Sequence, residues 1–139
     1  MKTIYKLILC LIFVGSYSVA SLADIVVVVH PGNPVSALEL SNIKRLFLGK
    51  TTKFSNGDTA VPFENSAQKS IFHHQITGKE VAQLKAYWAR RVFSGKGFPP
   101  KEMLDSGKLK SLIANDLTSI GYIDSTAVDP TVKVIMILP

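Results

Sequence analysis

Asn65-Ser66-Ala67-Gln68-Lys69 is the segment whose residue types and spacing best suit chemistry. It follows a strand candidate and opens a helix. Amides there lack intrahelical acceptors and lie at the positive end of the helix dipole. The Ser66 hydroxyl and the Lys69 ammonium stand beside them, and together these groups make an anion-binding corner. The plainer alternative is that Ser66 only caps its own helix.

Other candidates are weaker. Ser94-Gly95-Lys96-Gly97 looks like part of a phosphate loop, but it lacks the GxxxxGK[ST] spacing. It also follows a helix and precedes Pro99-Pro100, so it reads as a connector. His73 and His74 are adjacent and point in different directions on a helix; they read as a solvated pair rather than as metal ligands. No G-x-S-x-G elbow occurs. Glu64, Glu80 and Glu102 fall on different elements, so spacing gives no carboxylate pair. Lys44-Arg45, Arg90-Arg91 and Lys108/Lys110 lie on the polar sides of amphipathic helices and read as solvated faces rather than a nucleic-acid surface. The chain is therefore read as neither an enzyme nor a metal or cofactor protein.

The elements that must position the corner are legible. Ile25 to Val29 is five consecutive β-branched residues, a strand buried on both faces. His30 to Pro34 stops it with turn residues. Ser41 is placed to cap a helix carrying Ile43, Leu46 and Phe47, with Gly49 just past its end. Thr59 to Phe63 is a short strand, and Ser66 starts a helix running to about Ile76. After Gly78 comes a helix with Val81, Leu84, Trp88 and Val92 as its apolar stripe. Ser106 is placed to cap a helix with Leu109, Leu112 and Ile113; Ile120 to Ile123 and Val132 to Leu138 are strands. The expected order is β-α-β-α-α-α-β-β, one α/β domain with a mixed sheet flanked by helices.

Residues 1–23 read as a secretory signal: Lys2 and Lys6, the apolar run Leu7 to Val14, then Ser21-Leu22-Ala23 before Asp24. The apolar run is too short for a span. Cys10 lies within that run and leaves with it. The chain of 139 residues, 47% hydrophobic, 19% charged and formally +6, then becomes a domain of 116 residues, 24–139, at +4 and without cysteine. These figures exclude a multidomain enzyme, a disulfide-stapled miniprotein and a coiled coil. A chain of this size buries roughly 65% of its unfolded surface, enough for an independent core.

Several segments form an ordered set: Asn33-Pro34-Val35-Ser36, Leu40-Ser41, Leu46-Phe47-Leu48-Gly49-Lys50, Tyr87-Trp88, Phe93 to Gly97, Pro99-Pro100 and Ile120-Gly121-Tyr122. The set resembles the phosphate-type periplasmic substrate-binding proteins of ABC importers (type 2 periplasmic-binding fold), particularly their short single-domain relatives. It runs over nearly all of 24–139 and implies a single three-layer lobe of that fold. In the full-length family, two lobes close on an oxyanion, and one lobe offers an arginine and a Ser-Gly-Thr turn. Ser66 falls at the serine of that turn, and Ala67 and Gln68 stand for Gly and Thr. Pro62 or Phe63 stands where the arginine is expected, and Thr118 replaces a glycine often found before the Ile-Gly-Tyr strand. Lys69 is left as a point charge without the guanidinium fork.

The resemblance implies an exported, periplasmic protein that binds phosphate or a similar oxyanion in connection with ABC-type import. The anion contacts would be Ser66, the backbone at Ala67 and Gln68, Lys69, and Ser36 from a neighbouring loop. The implied partners are the oxyanion and an ABC permease or another periplasmic protein, with no nucleic acid and no membrane span after signal removal. The alternative is a structural or interaction protein that keeps one lobe of the fold without a ligand of its own; the altered turn and missing arginine favour it.

Overall fold

The computed structural model describes residues 24–138; the expected signal segment 1–23, Cys10 within it, and Pro139 lie outside the described residues. The first strand, β1, is Ile25–Val29, and all five residues are buried. Ile25, Val27 and Val29 join one core, and Val26 and Val28 the other. That is why the run shows no polar alternation.

The remaining elements are α1 (Leu40–Phe47), β2 (Val61–Asn65), α2 (Lys69–Thr77), α3 (Val81–Phe93), β3 (Lys101–Met103), α4 (Ser106–Ala114), β4 (Ser119–Asp124) and β5 (Lys133–Ile137). The sheet order is β3-β2-β4-β1-β5. β2 runs parallel to β3 and β4, whereas β1 is antiparallel to both β4 and β5. β1 therefore runs against the other four strands in a mixed sheet.

Two packed faces make three layers. α1 and α2 cover one face through Ile43, Leu46, Phe47, Phe72 and Ile76, which meet Ile120 and Tyr122. The Phe72 and Tyr122 rings stack at 3.7 Å, and Phe47 meets both edge-on at 4.8 and 5.6 Å. Each such aromatic, fully buried, contributes about 1.5–3 kcal/mol over an exposed one. α4 covers the other face through Leu109 and Ile113. A Cβ on Gly121 would lie 2.9 Å from the Leu109 side chain, so glycine is what lets α4 sit this close to β4. α3 packs outside these layers, where Leu84 and Trp88 meet Leu48 at the end of α1. Both cores are built from residues within 24–138, which carries the apolar packing that an independent core needs.

Several expectations are corrected. β3 was not foreseen: its Lys-Glu-Met composition has little strand propensity, and it lies exposed at the sheet edge. Val81 and Val92 face solvent at 61% and 42% exposure, so the buried part of the α3 stripe is only Leu84 and Trp88. The cap positions of α1 and α4 are Glu39 and Asp105 rather than Ser41 and Ser106; the Asp105 side chain accepts from the Lys108 amide.

Candidate anion-binding site

The sheet topology creates one natural ligand position. The chain leaves β2 along the α2 face to reach β3 on one side, then leaves β3 along the α4 face to reach β4 on the other. The two crossovers thus share one hand. Their exits diverge between the C-terminal ends of β2 and β3, the crevice where open α/β sheets bind ligands. Ser66 stands there, its amide bonded to Met103 O at 2.9 Å.

Ser66, Ala67, Gln68 and Lys69 come together at this crevice, but they do not form the expected cap. α2 begins at Lys69 with Gln68 in the cap position and no side-chain cap bond, so the reading of Ser66 as a cap is corrected. Asn65 organises the turn instead. Its Oδ1 accepts from the Ala67 amide at 3.2 Å, and its carbonyl accepts from the Gln68 amide at 3.0 Å. Its Nδ2 reaches Tyr122 O at 3.2 Å and Ser106 Oγ at 3.0 Å, tying the turn to β4 and α4. The two backbone groups expected to receive an anion therefore already have acceptors.

The two side-chain donors do too. Ser66 Oγ donates to Glu102 Oε2 at 3.2 Å, and the Lys69 ammonium pairs with Glu102 Oε1. Glu102 is in register with Glu64 across the parallel β2–β3 pair, so strand pairing brings together two carboxyls that sequence spacing could not connect. The hydrogen bond from Lys69 is the chief cause that holds the Glu102 carboxyl below its ordinary pKa, against a smaller effect of burial; the Lys69 charge and the Ser66 hydroxyl act in the same direction.

Behind this pair lies a buried polar network. Glu64 and His73, 1% and 2% exposed, meet at 2.7 Å, and Tyr122 donates to the other Glu64 oxygen at 2.5 Å. Burial, then the Glu64 charge, pushes the Tyr122 phenol far above its ordinary pKa, so it stays protonated and keeps its proton to donate to Glu64. The histidine pair is thus corrected. His74 is exposed and pairs with Glu80 at 2.5 Å, whereas His73 turns inward to Glu64. Adjacent helical residues lie about 100° apart, which lets one face the core and the other solvent.

The cleft in front of Glu102 has a volume of about 440 Å³ and runs between α2 and α3. Lys69, Ser70 and His73 line one wall, and Leu84, Lys85 and Trp88 the other. Ser36 is absent from it. It is exposed in the loop after β1, and because β1 runs antiparallel to β4 and hence to β2, that loop emerges at the opposite end of the strands, where Asn33 Nδ2 donates to Leu117 O ahead of β4. Ser36 therefore cannot join the Ser66 corner. Among the described residues, no cluster of three or more His, Cys, Asp or Glu could hold a metal.

The remaining motifs serve structure. α1 and α3 each end in a turn with a left-handed glycine, Gly49 and Gly95, followed by a lysine amide bonded back to the helix: Lys50 to Arg45 O at 2.8 Å and Lys96 to Arg91 O at 2.9 Å. Arg91 Nη2 donates to Gly49 O at 3.0 Å and to Lys96 O at 3.2 Å, clasping the two turns. Tyr87 adds a bond to Leu48 O at 2.6 Å. The Ser94–Gly97 segment is the expected connector.

No protein-family model matches the sequence, and no curated protein matches it either. Solved structures do. The chain is similar to a protein from Clostridium perfringens described as a phosphate ABC transporter substrate-binding protein with bound phosphate, at 24% identity and TM-score 0.64, over 81% of this chain and 44% of that one. It is similar to an ABC-type phosphate transport receptor from Vibrio cholerae at 19% identity and TM-score 0.55, over 83% and 47%. It is also similar to PstS from Borrelia burgdorferi at 9% identity and TM-score 0.61, over 81% and 46%. None of the three is described as an enzyme. The fold is that of one lobe of the periplasmic-binding fold, and the chain spans less than half the length of these structures.

Proposed function

We propose that the protein is an exported, periplasmic, solute-binding-like lobe that takes phosphate or a similar oxyanion at the Ser66–Lys69 corner, in connection with ABC-type import. The observation that carries this reading is the convergence of the Ser66 hydroxyl and the Lys69 ammonium on the two oxygens of the Glu102 carboxylate, in an open cleft. The same donors suit two oxygens of an oxyanion. An incoming anion exchanges with Glu102, whose side chain is 45% exposed and free to swing into water. Affinity is lowered by the small fraction of molecules in which the corner is vacant. Binding is further weakened because the corner is open to water, where each hydrogen bond contributes little net.

A second reading is favoured by the satisfaction of all four expected donors within the chain. On that reading, Glu102 stands permanently in place of the anion, and the lobe serves as a structural or interaction protein.

Calorimetric titration of residues 24–139 with phosphate and sulfate at low salt separates the two. The first reading expects weak binding that tightens roughly tenfold or more in Glu102→Gln, as the internal competitor is removed, and disappears in Lys69→Ala. No heat from either wild type or Glu102→Gln, with ligand on the order of millimolar, leaves the second reading.

A further inference from the structure

We infer that the face formed by the C-terminal turns of α1 and α3 is a docking surface for an anionic lipid bilayer. Arg91 joins the two turns through Gly49 O and Lys96 O, so residues distant in sequence form one fixed knob. On it, Phe93 is 95% exposed and Phe98 80%. Phe98 lines a shallow hollow together with Gly49 and Thr51, which puts it on the same face as the clasped turns. Large apolar side chains held in water on a pinned backbone mark an interaction surface.

The charge around them has one sign. Residues 40–57 and 81–101 contain nine Lys or Arg and no Asp or Glu, whereas the rest of 24–139 holds five basic and ten acidic residues. Lys50 and Lys96 directly follow the two capping glycines, and Arg90 and Lys101 flank the phenylalanines in sequence. Of the four acidic groups that border these segments in sequence, Asp58 accepts from Asn56 at 2.9 Å, Glu80 pairs with His74 and Glu102 with Lys69, while Glu39 stands at the start of α1, at the opposite end of that helix from Lys50.

A matching partner carries negative charge at its surface and apolar depth beneath. An anionic bilayer has that order: headgroups for the cations and acyl chains for the phenylalanines. Each Lys or Arg near such a surface adds to the attraction, so a knob of several cations can hold a peripheral contact without a membrane span. Trp88 and Pro99 line the anion cleft as well, so this surface borders it, but Lys50, Phe93, Lys96 and Phe98 are not part of the cleft lining and can be changed apart from it.

Co-sedimentation of residues 24–139 with vesicles of phosphatidylcholine alone, and of phosphatidylcholine mixed with phosphatidylglycerol, tests it. Pelleting is expected only with the anionic vesicles and should fall as salt rises. Lys50→Glu with Lys96→Glu should lower the partition constant roughly tenfold or more, and Phe93→Ser with Phe98→Ser should lower it separately. All four side chains are exposed, and far-ultraviolet circular dichroism checks that both variants remain folded. Absence of pelleting with anionic vesicles at low salt overturns the proposal in favour of an acidic protein surface. Equal pelleting with neutral vesicles, insensitivity to both double variants, or pelleting without vesicles (self-association) overturns it as well.

Discussion

Glu64 is a buried carboxyl whose two oxygens each meet a partner, His73 Nε2 at 2.7 Å and the Tyr122 hydroxyl at 2.5 Å. A polar group removed from water is costly to leave unpaired, so each partner contributes more than its exposed counterpart would. Tyr122→Phe removes one donor while keeping the ring stack on Phe72. It should lower unfolding stability by about 1–3 kcal/mol in urea titration with an unchanged m-value. A loss under about 0.5 kcal/mol would mean that the hydroxyl contributes nothing here. The sequence hid this network. Glu64 and His73 are nine positions apart on a strand and the following helix, and only the pairing of β2 with β4 brings Tyr122 to them. Ser66 and Lys69, by contrast, were legible because both lie in one turn. What could not be read was their occupant, since Glu102 arrives from an edge strand with no sequence signal of its own.

At the scale of elements, apolar periodicity and turn glycines were the dependable signals. Gly49 lies just past α1, and Gly78 closes α2 in the left-handed region, where glycine is unstrained. Starts were less legible, because serines that suit a cap also suit a first turn; Ser106 instead accepts from Asn65 and from the Asp124 amide. The clasp between α1 and α3 was beyond sequence reasoning, since Arg91 lies 42 positions from Gly49. Its guanidinium also lies over the Tyr87 and Trp88 rings at 5.6 and 5.9 Å, while its Nε has no acceptor, which offsets part of the gain. Arg91→Ala should cost about 1–2 kcal/mol. The loss should be local, with faster hydrogen exchange at the Gly49, Lys50, Gly95 and Lys96 amides and unchanged exchange in β1 and β4. Arg91→Lys should not restore protection, because an ammonium lacks the planar fork that spans both turns. Equal loss of protection across the sheet would contradict a clasp confined to these turns.

For the whole molecule, the same asymmetry that gathers cations on one face leaves the remaining surface acidic, and this sets the response to acid. Two carboxylates outside the basic face are held by lysines: Glu102 by Lys69, and Asp129 by Lys110 at 2.8 Å. The hydrogen bond from Lys110 comes first among the causes that lower the Asp129 pKa to about 2, with Thr131 adding to it. A carboxylate whose folded pKa is depressed binds its proton less readily than in the unfolded chain. Its contribution is fully present above the unfolded value, about 4, and is lost as pH falls through the folded one. Thermal midpoints should therefore be nearly flat from pH 7 to about 5 and decline from there toward pH 2. Protonation of the acidic residues also strips the counter-charge from a chain with 14 basic residues between 24 and 139, and self-repulsion steepens the decline. Added salt should flatten the lower limb by screening that repulsion. Glu102→Gln should lower stability at pH 7 by an amount that shrinks as acid protonates Glu102 in the wild type. A wild-type midpoint that stays level down to pH 2 would contradict the depressed carboxylates. A Glu102→Gln deficit that persists undiminished in acid would assign the role of Glu102 to packing rather than to its charge.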